Sequence, residues 1–150
     1  GMTLAARRGV LHDRPPMLTV QLNVGRLIEI RGKGQVSLED FAAFRGQFTE
    51  CLMKAGRKIV NVSDLREIGV LSPEVFAALS RLAQTDNAMI ERAAYLTLPT
   101  SPASMQFYQL IKDLKHPQRG VFQKEPELEQ WVSASLSPEE RARVREFLGA

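Results

Sequence analysis

A single cysteine, Cys51, in a chain of 150 residues excludes an internal disulfide. Doing without disulfides suits a reducing compartment, so the expected location is cytoplasmic. With one thiol and only two histidines, His12 and His116, the sequence offers no metal-ligand spacing. Long hydrophobic runs are missing too, and nothing approaches the roughly 20 apolar residues of a membrane-spanning helix. The N-terminus lacks the apolar core of a secretory signal. Lysines and arginines do not form runs and are not interleaved with aromatics, which argues against a nucleic-acid platform. There is no nucleophile elbow and no Walker-type phosphate loop. No catalytic residues and no cofactor are therefore expected.

Three local features come close to chemistry and are better read as structure. Gly32-Lys33-Gly34-Gln35-Val36-Ser37 follows a strand and opens a helix, as a dinucleotide fingerprint would. Ser37 stands where the third glycine belongs, however, and the strand before it belongs to a hairpin, so turn glycines are the better reading. Cys51 falls on the apolar stripe of a helix and reads as a core thiol. His116, beside Pro117, reads as a helix C-terminal residue whose partial positive charge suits the dipole.

What is present is the balance of a globular domain, 44% hydrophobic and 25% charged. The net charge of +3 is unevenly spread. From Glu125 onward six acids face three arginines, leaving the surplus of positive charge on the first 124 residues. Residues 1–16 show no periodicity and end in Pro15-Pro16, marking an arm that packs on its own sheet or on a second copy as a homodimer. Residues 17–150 are expected to form one domain.

Within it, Leu18, Val20, Leu22 and Val24 alternate with polar residues, and Leu27, Ile28 and Ile30 follow the Gly25 turn, predicting an antiparallel hairpin. Ser37 with Asp40 resembles a capping box, and Phe41, Phe44, Phe48, Cys51 and Leu52 make an apolar helical stripe closed by Gly56. Arg57 to Phe76 is the stretch on which the rest is arranged. It reads as a buried strand at Ile59, Val60 and Val62, a polar crossover from Ser63 to Gly69, and a helix opening at Ser72-Pro73. Glu91 to Leu98 predicts another strand, and the helix from Ser101 is expected to bury Met105, Tyr108, Ile111 and Leu114. A short strand at Gly120 to Phe122 leads to helices from Pro126 and from Ser137, the latter carrying Val144, Phe147 and Leu148. Ser72-Pro73, Ser101-Pro102 and Ser137-Pro138 each pair a capping hydroxyl with a proline at the first helical position. The order predicts an α/β fold: a mixed, mostly parallel sheet with an N-terminal antiparallel hairpin and helices on both faces.

The runs LIEIRGKGQVSLEDFAAF, IVNVSDLREIGVLSPEVF and RGVFQKEPELEQWV, in that order, resemble segments of STAS-like proteins of the sporulation anti-sigma-factor-antagonist group. That resemblance implies a small regulatory domain that binds a protein partner. It also implies a phospho-acceptor at the start of the helix after the central strand. The nearest match is Ser72, with Ser63 behind it. The antagonists' Asp-Ser-Ser-Gly-like signature is replaced here by Ile68-Gly69-Val70-Leu71-Ser72-Pro73, which puts the acceptor position on or beside Leu71 and weakens the case for a switch. The expected partner- or anion-binding edge is Ser63, Asp64, Arg66, Ser72, Thr100 and Ser101, at the carboxyl ends of neighbouring strands. The alternative is a small-ligand or lipid carrier, which requires a closed apolar cavity between helices and sheet.

Overall fold

The computed structural model describes residues 16–149, so the proposed arm and its homodimer contact lie outside the described residues. Five strands pair in the order β1-β2-β3-β4-β5: β1 (Leu18–Val24), β2 (Leu27–Gly34), β3 (Ile59–Ile68), β4 (Ile90–Leu96) and β5 (Arg119–Phe122). The β1–β2 pair is antiparallel and every later pair is parallel. The helices are α1 (Leu38–Ala55), α2 (Pro73–Thr85), α3 (Pro102–Leu114), α4 (Glu125–Ser133) and α5 (Pro138–Gly149). A short 3-10 turn, Asn87–Met89, links α2 to β4. This is the mixed α/β sheet that the patterning predicts.

Each face of the sheet has its own core. Ile28, Ile30, Ile59, Leu65, Ala93 and Tyr95 pack beneath α1, α2 and α3. Leu27, Val60, Val62, Ala94 and Leu96 pack beneath α4 and α5. The pleat sends successive residues to opposite faces, so the near-continuous apolar run of β3 is what two-sided burial demands. On the first face the phenylalanines of α1 form a row, with ring centroids 5.8 Å apart from Phe41 to Phe44 and again from Phe44 to Phe48. The Ser37–Asp40 capping box opens α1, and Gly56, at φ 65°, ends it.

The structure corrects the sequence reading in two places. Ser63 to Ile68 is not a crossover but the second half of β3. Its polar residues stay in the strand because Asp64 and Arg66 face α5 and neutralise one another there, while Leu65 and Ile68 enter the core. On α3 the buried side chains are Ala103, Ser104, Phe107, Leu110 and Leu114, whereas Met105 and Tyr108 are exposed. That helix carries two apolar stripes, and the one with small residues at its start fits closest to the sheet, where Ser104 Oγ hydrogen-bonds Thr97 Oγ1 at 3.1 Å. His116 follows Lys115, the C-cap of α3, at the helix end where the sequence placed it, and its ring is tied to backbone. Its Nδ1 accepts from Gln118 N at 3.0 Å, so Nε2 carries the hydrogen and donates to the Ile90 carbonyl at 2.9 Å.

Truncating the centre of the α1 row gives the direct measure of this packing. Phe44→Ala is expected to lower the unfolding free energy by about 3–5 kcal/mol, read from the urea midpoint at unchanged slope. A loss below about 1 kcal/mol would mean that α1 is not a main source of core.

Candidate functional site at the carboxyl rim of the sheet

Because β2 to β5 run parallel, the helices that follow them all begin at one rim: α1 at Ser37, α2 at Ser72, α3 at Ser101 and α4 at Glu125. The loops are tied to one another across this rim. Gln35 Nε2 donates to the Val70 carbonyl at 3.0 Å. The Gln106 amide bonds both backbone groups of Leu71, accepting from N at 2.9 Å and donating to O at 2.8 Å. Gly69 N donates to Gly34 O at 2.9 Å. Three of these loops are therefore tied together, by the Gln35 and Gln106 side chains bonding backbone and by one backbone–backbone contact.

Apolar side chains gather on it. Among the described residues Leu38, Met53, Val70, Met89, Leu98, Met105 and Tyr108 are the exposed large hydrophobics. Leu38, Val70, Leu98 and Met105 all belong to this rim, with Met105 at 72% and Val70 at 47% exposure. Single exposed apolar residues are ordinary, and these four share one edge of the sheet.

The residues singled out in the sequence take different stations. Ser72 caps α2, its Oγ accepting from Val75 N at 3.2 Å. Ser101 occupies the N-cap of α3 without a side-chain cap bond, unlike the pattern inferred from its proline, and Thr100 beside it is exposed. These three line the rim. Ser63 lies below it on the α1–α3 face, buried, its Oγ donating to Asn61 Oδ1 at 3.1 Å.

Asp64 lies on the opposite face, 5% exposed, and receives Arg31 Nη1 at 2.7 Å and Arg66 Nη2 at 2.9 Å. The two guanidiniums also donate to the last carbonyls of α5, Arg31 to Phe147 and Arg66 to Leu148, each at 2.7 Å. Positive charge at a helix C-terminus is favourable, so this cluster fastens the end of α5 to the sheet. Arg66 further contacts Glu125 at the start of α4. Its donors are thus committed within the fold, and the anion-binding role expected of Arg66 has no free fork to work with. Burial alone would raise the Asp64 pKa, but the side-chain and backbone hydrogen bonds from Arg66, with the charges of both arginines, outweigh it and hold the carboxyl below the usual carboxylate range.

Two further charged contacts on this face went unread in the sequence. Glu29, 2% exposed, takes a bidentate contact from Arg143 of α5 at 2.7 and 2.8 Å. Glu140 closes a capping box with Ser137 and also accepts from Arg26 N at 2.8 Å, pinning the hairpin turn. A side chain at Gly25 would meet Glu140 Oε2 at 2.4 Å, and φ there is +56°, so the turn requires glycine twice over. The available signal was Glu29 itself, a charge inside an otherwise apolar strand, which burial obliges to find a partner.

A five-stranded mixed sheet carries three helices on one face and two on the other, the arrangement expected of a STAS-like fold. Its fold is SpoIIAA-like. An uncharacterized protein of the DUF3478 family with a SpoIIAA-like fold, from Shewanella loihica PV-4, superposes at a TM-score of 0.62 with 13% identity, covering 88% of this chain and 99% of that one. The anti-sigma factor antagonist SpoIIAA in its unphosphorylated form superposes at 0.52 with 10% identity, covering 80% of this chain and 98% of its own. No family model matches the sequence, and no curated protein does. Among the described residues no helix is long and apolar enough to cross a membrane, and no group of three potential metal ligands occurs.

The Asp64 cluster sets an acid limit. Because the native pKa is depressed, its stabilisation is complete above the unfolded value of about 3.9 and is lost as the pH falls through the lower native value. Asp64→Asn is expected to cost about 1–3 kcal/mol at pH 7, less than a fully dry pair because both arginines reach water. The gap between wild type and variant should close as the pH is taken below about 4. Urea melts across pH 2.5–7 check it, and a gap that does not change with pH would contradict the assignment.

Proposed function

We propose that this domain is a non-enzymatic regulatory module that docks a protein partner on the carboxyl rim of its sheet. The observation that carries this reading is the set Leu38, Val70, Leu98 and Met105, apolar and exposed around the starts of three helices. Ser72, Thr100 and Ser101 supply hydrogen-bonding groups among them, and the free N–H groups of the helix starts favour an acidic side chain on the partner. The fold it shares with an anti-sigma factor antagonist supports a regulatory role of this kind. We read Ser72 as a cap rather than a switch, since its hydroxyl is engaged by Val75 N and Pro73 follows it. The setting this implies is the cytoplasm, with Cys51 a buried core thiol whose pKa burial pushes up.

A second reading, a small-ligand carrier, is supported by a different observation: a cavity of about 80 Å³ between the sheet and α1, α2 and α3.

Docking on the rim is tested by cross-linking in lysate of the source cell, comparing wild type with Val70→Asp/Met105→Glu. A partner lost from the rim variant but kept by Met53→Glu, an exposed apolar residue at the far end of α1, is the expected result. A partner retained by the rim variant, or lost equally from both, would contradict it. Ser72→Glu keeps an N-capping acceptor and so should leave stability within about 1 kcal/mol while weakening the same partner.

A further inference from the structure

The wall of the cavity is apolar for most of its extent, with Phe44, Phe48, Leu79, Leu82 and Phe107 among its residues. Polar groups interrupt it, and those on the floor are used up. Asn61 donates to the Ile28 carbonyl at 3.1 Å and accepts from Ser63. At the β4–β5 side the balance is different. Arg119 lines the cavity at 9% exposure, its Nε donating to Asn87 Oδ1 at 3.0 Å and its Nη1 to the Tyr95 hydroxyl. Both acceptors are neutral, and among the described residues no carboxylate comes within ion-pair distance of this guanidinium. Asp86, next in sequence to the Asn87 that Arg119 holds, lines the same cavity. Its Oδ2 is buried and is the one such side-chain atom among the described residues without a hydrogen-bond partner. Burial pushes its pKa up, against the opposing charges of Arg45 and Arg119.

A buried cation with no carboxylate in ion-pair contact and a buried acceptor without a donor, at one end of an apolar cavity, define what fits there. A hydrocarbon leaves both groups unsatisfied, at a cost. A carboxylate suits Arg119 but is repelled by Asp86. A hydroxyl answers both, since it donates one hydrogen and accepts on its lone pairs. Size narrows the choice further, because the volume is about half that of the roughly 150 Å³ apolar cavity that takes up benzene.

We propose that the cavity binds a small aliphatic alcohol of about two to three carbons, scaled from that comparison, with its hydroxyl donating to Asp86 Oδ2 and accepting from Arg119. This rests on the carrier reading and adds the class of ligand to it. 1-Propanol and ethyl methyl ether are isomers that differ in the donor, so they separate the two ideas. Each is titrated into the purified protein while NMR follows the methyl groups of Leu79 and Leu82. The expected result is a dissociation constant roughly tenfold lower for the alcohol, the value of a hydrogen bond to a charged group. Asp86→Ala should abolish that preference while ether affinity is retained, and Asp86→Asn, which keeps the shape, should weaken it if the alanine variant fails to fold. Equal affinities in the wild type would overturn the hydroxyl assignment and leave the carrier reading standing. Absence of cavity shifts with both probes would overturn the two together.

Discussion

Burial of β3 on both faces is the constraint from which the other elements take their places. A strand in that position must offer apolar side chains in both directions, and Ile59, Val60 and Val62 do so. Parallel neighbours then require crossovers, the crossovers are helices, and the helices start at one rim of the sheet. The candidate surface is a consequence of this order. Its loops lie there because the strands end there, and Gln35 and Gln106 lock them by bonding backbone rather than by filling space.

The two faces of the sheet are held by different physics. Beneath α1, α2 and α3 the sheet is covered by phenylalanine and aliphatic packing, with room left for a cavity. Beneath α4 and α5 the apolar core is smaller, and ion pairs take over part of the work. Arg143 reaches Glu29, Arg31 and Arg66 reach Asp64 and the end of α5, and Glu140 reaches back to the hairpin. Such pairs add little net stability over apolar packing, but removing one partner strands the other. Their effect here is positional. They tie α5 to β2, to β3 and to the hairpin turn, beside the apolar contacts of Val144, Phe147 and Leu148. Of the acids from Glu125 onward, which in the sequence look like a separate negative segment, Glu125 pairs with Arg66 of β3, Glu146 with Arg143 of its own helix, and Glu140 accepts from the Arg26 backbone.

The fold was legible because its signals are local. The Gly25 hairpin, the Ser37–Asp40 box, the Ser-Pro helix starts and the apolar run at Ile59 each carry their meaning within a few residues. The site was legible in part. Ser72, Thr100 and Ser101 fall on the rim because strand ends and helix starts can be read from a chain. Asp64 and Arg66 were assigned to a loop because polar residues ordinarily end a strand. Only the approach of Arg31 and of the α5 carbonyls, more than thirty residues away in either case, explains their staying in the sheet. The choice between the Met105–Tyr108 and Phe107–Leu110 stripes on α3 was likewise settled by what the sheet presents to the helix, which periodicity alone does not encode.

Native-state hydrogen exchange of β3 tests the central claim most directly. If the strand is the doubly covered centre of the domain, the amides of Val60 to Asp64 should exchange only through global unfolding, with protection equal to the full unfolding free energy and above that of β1 at the sheet's edge. Amides in β3 that exchange through local opening, as fast as those of β1, would contradict it.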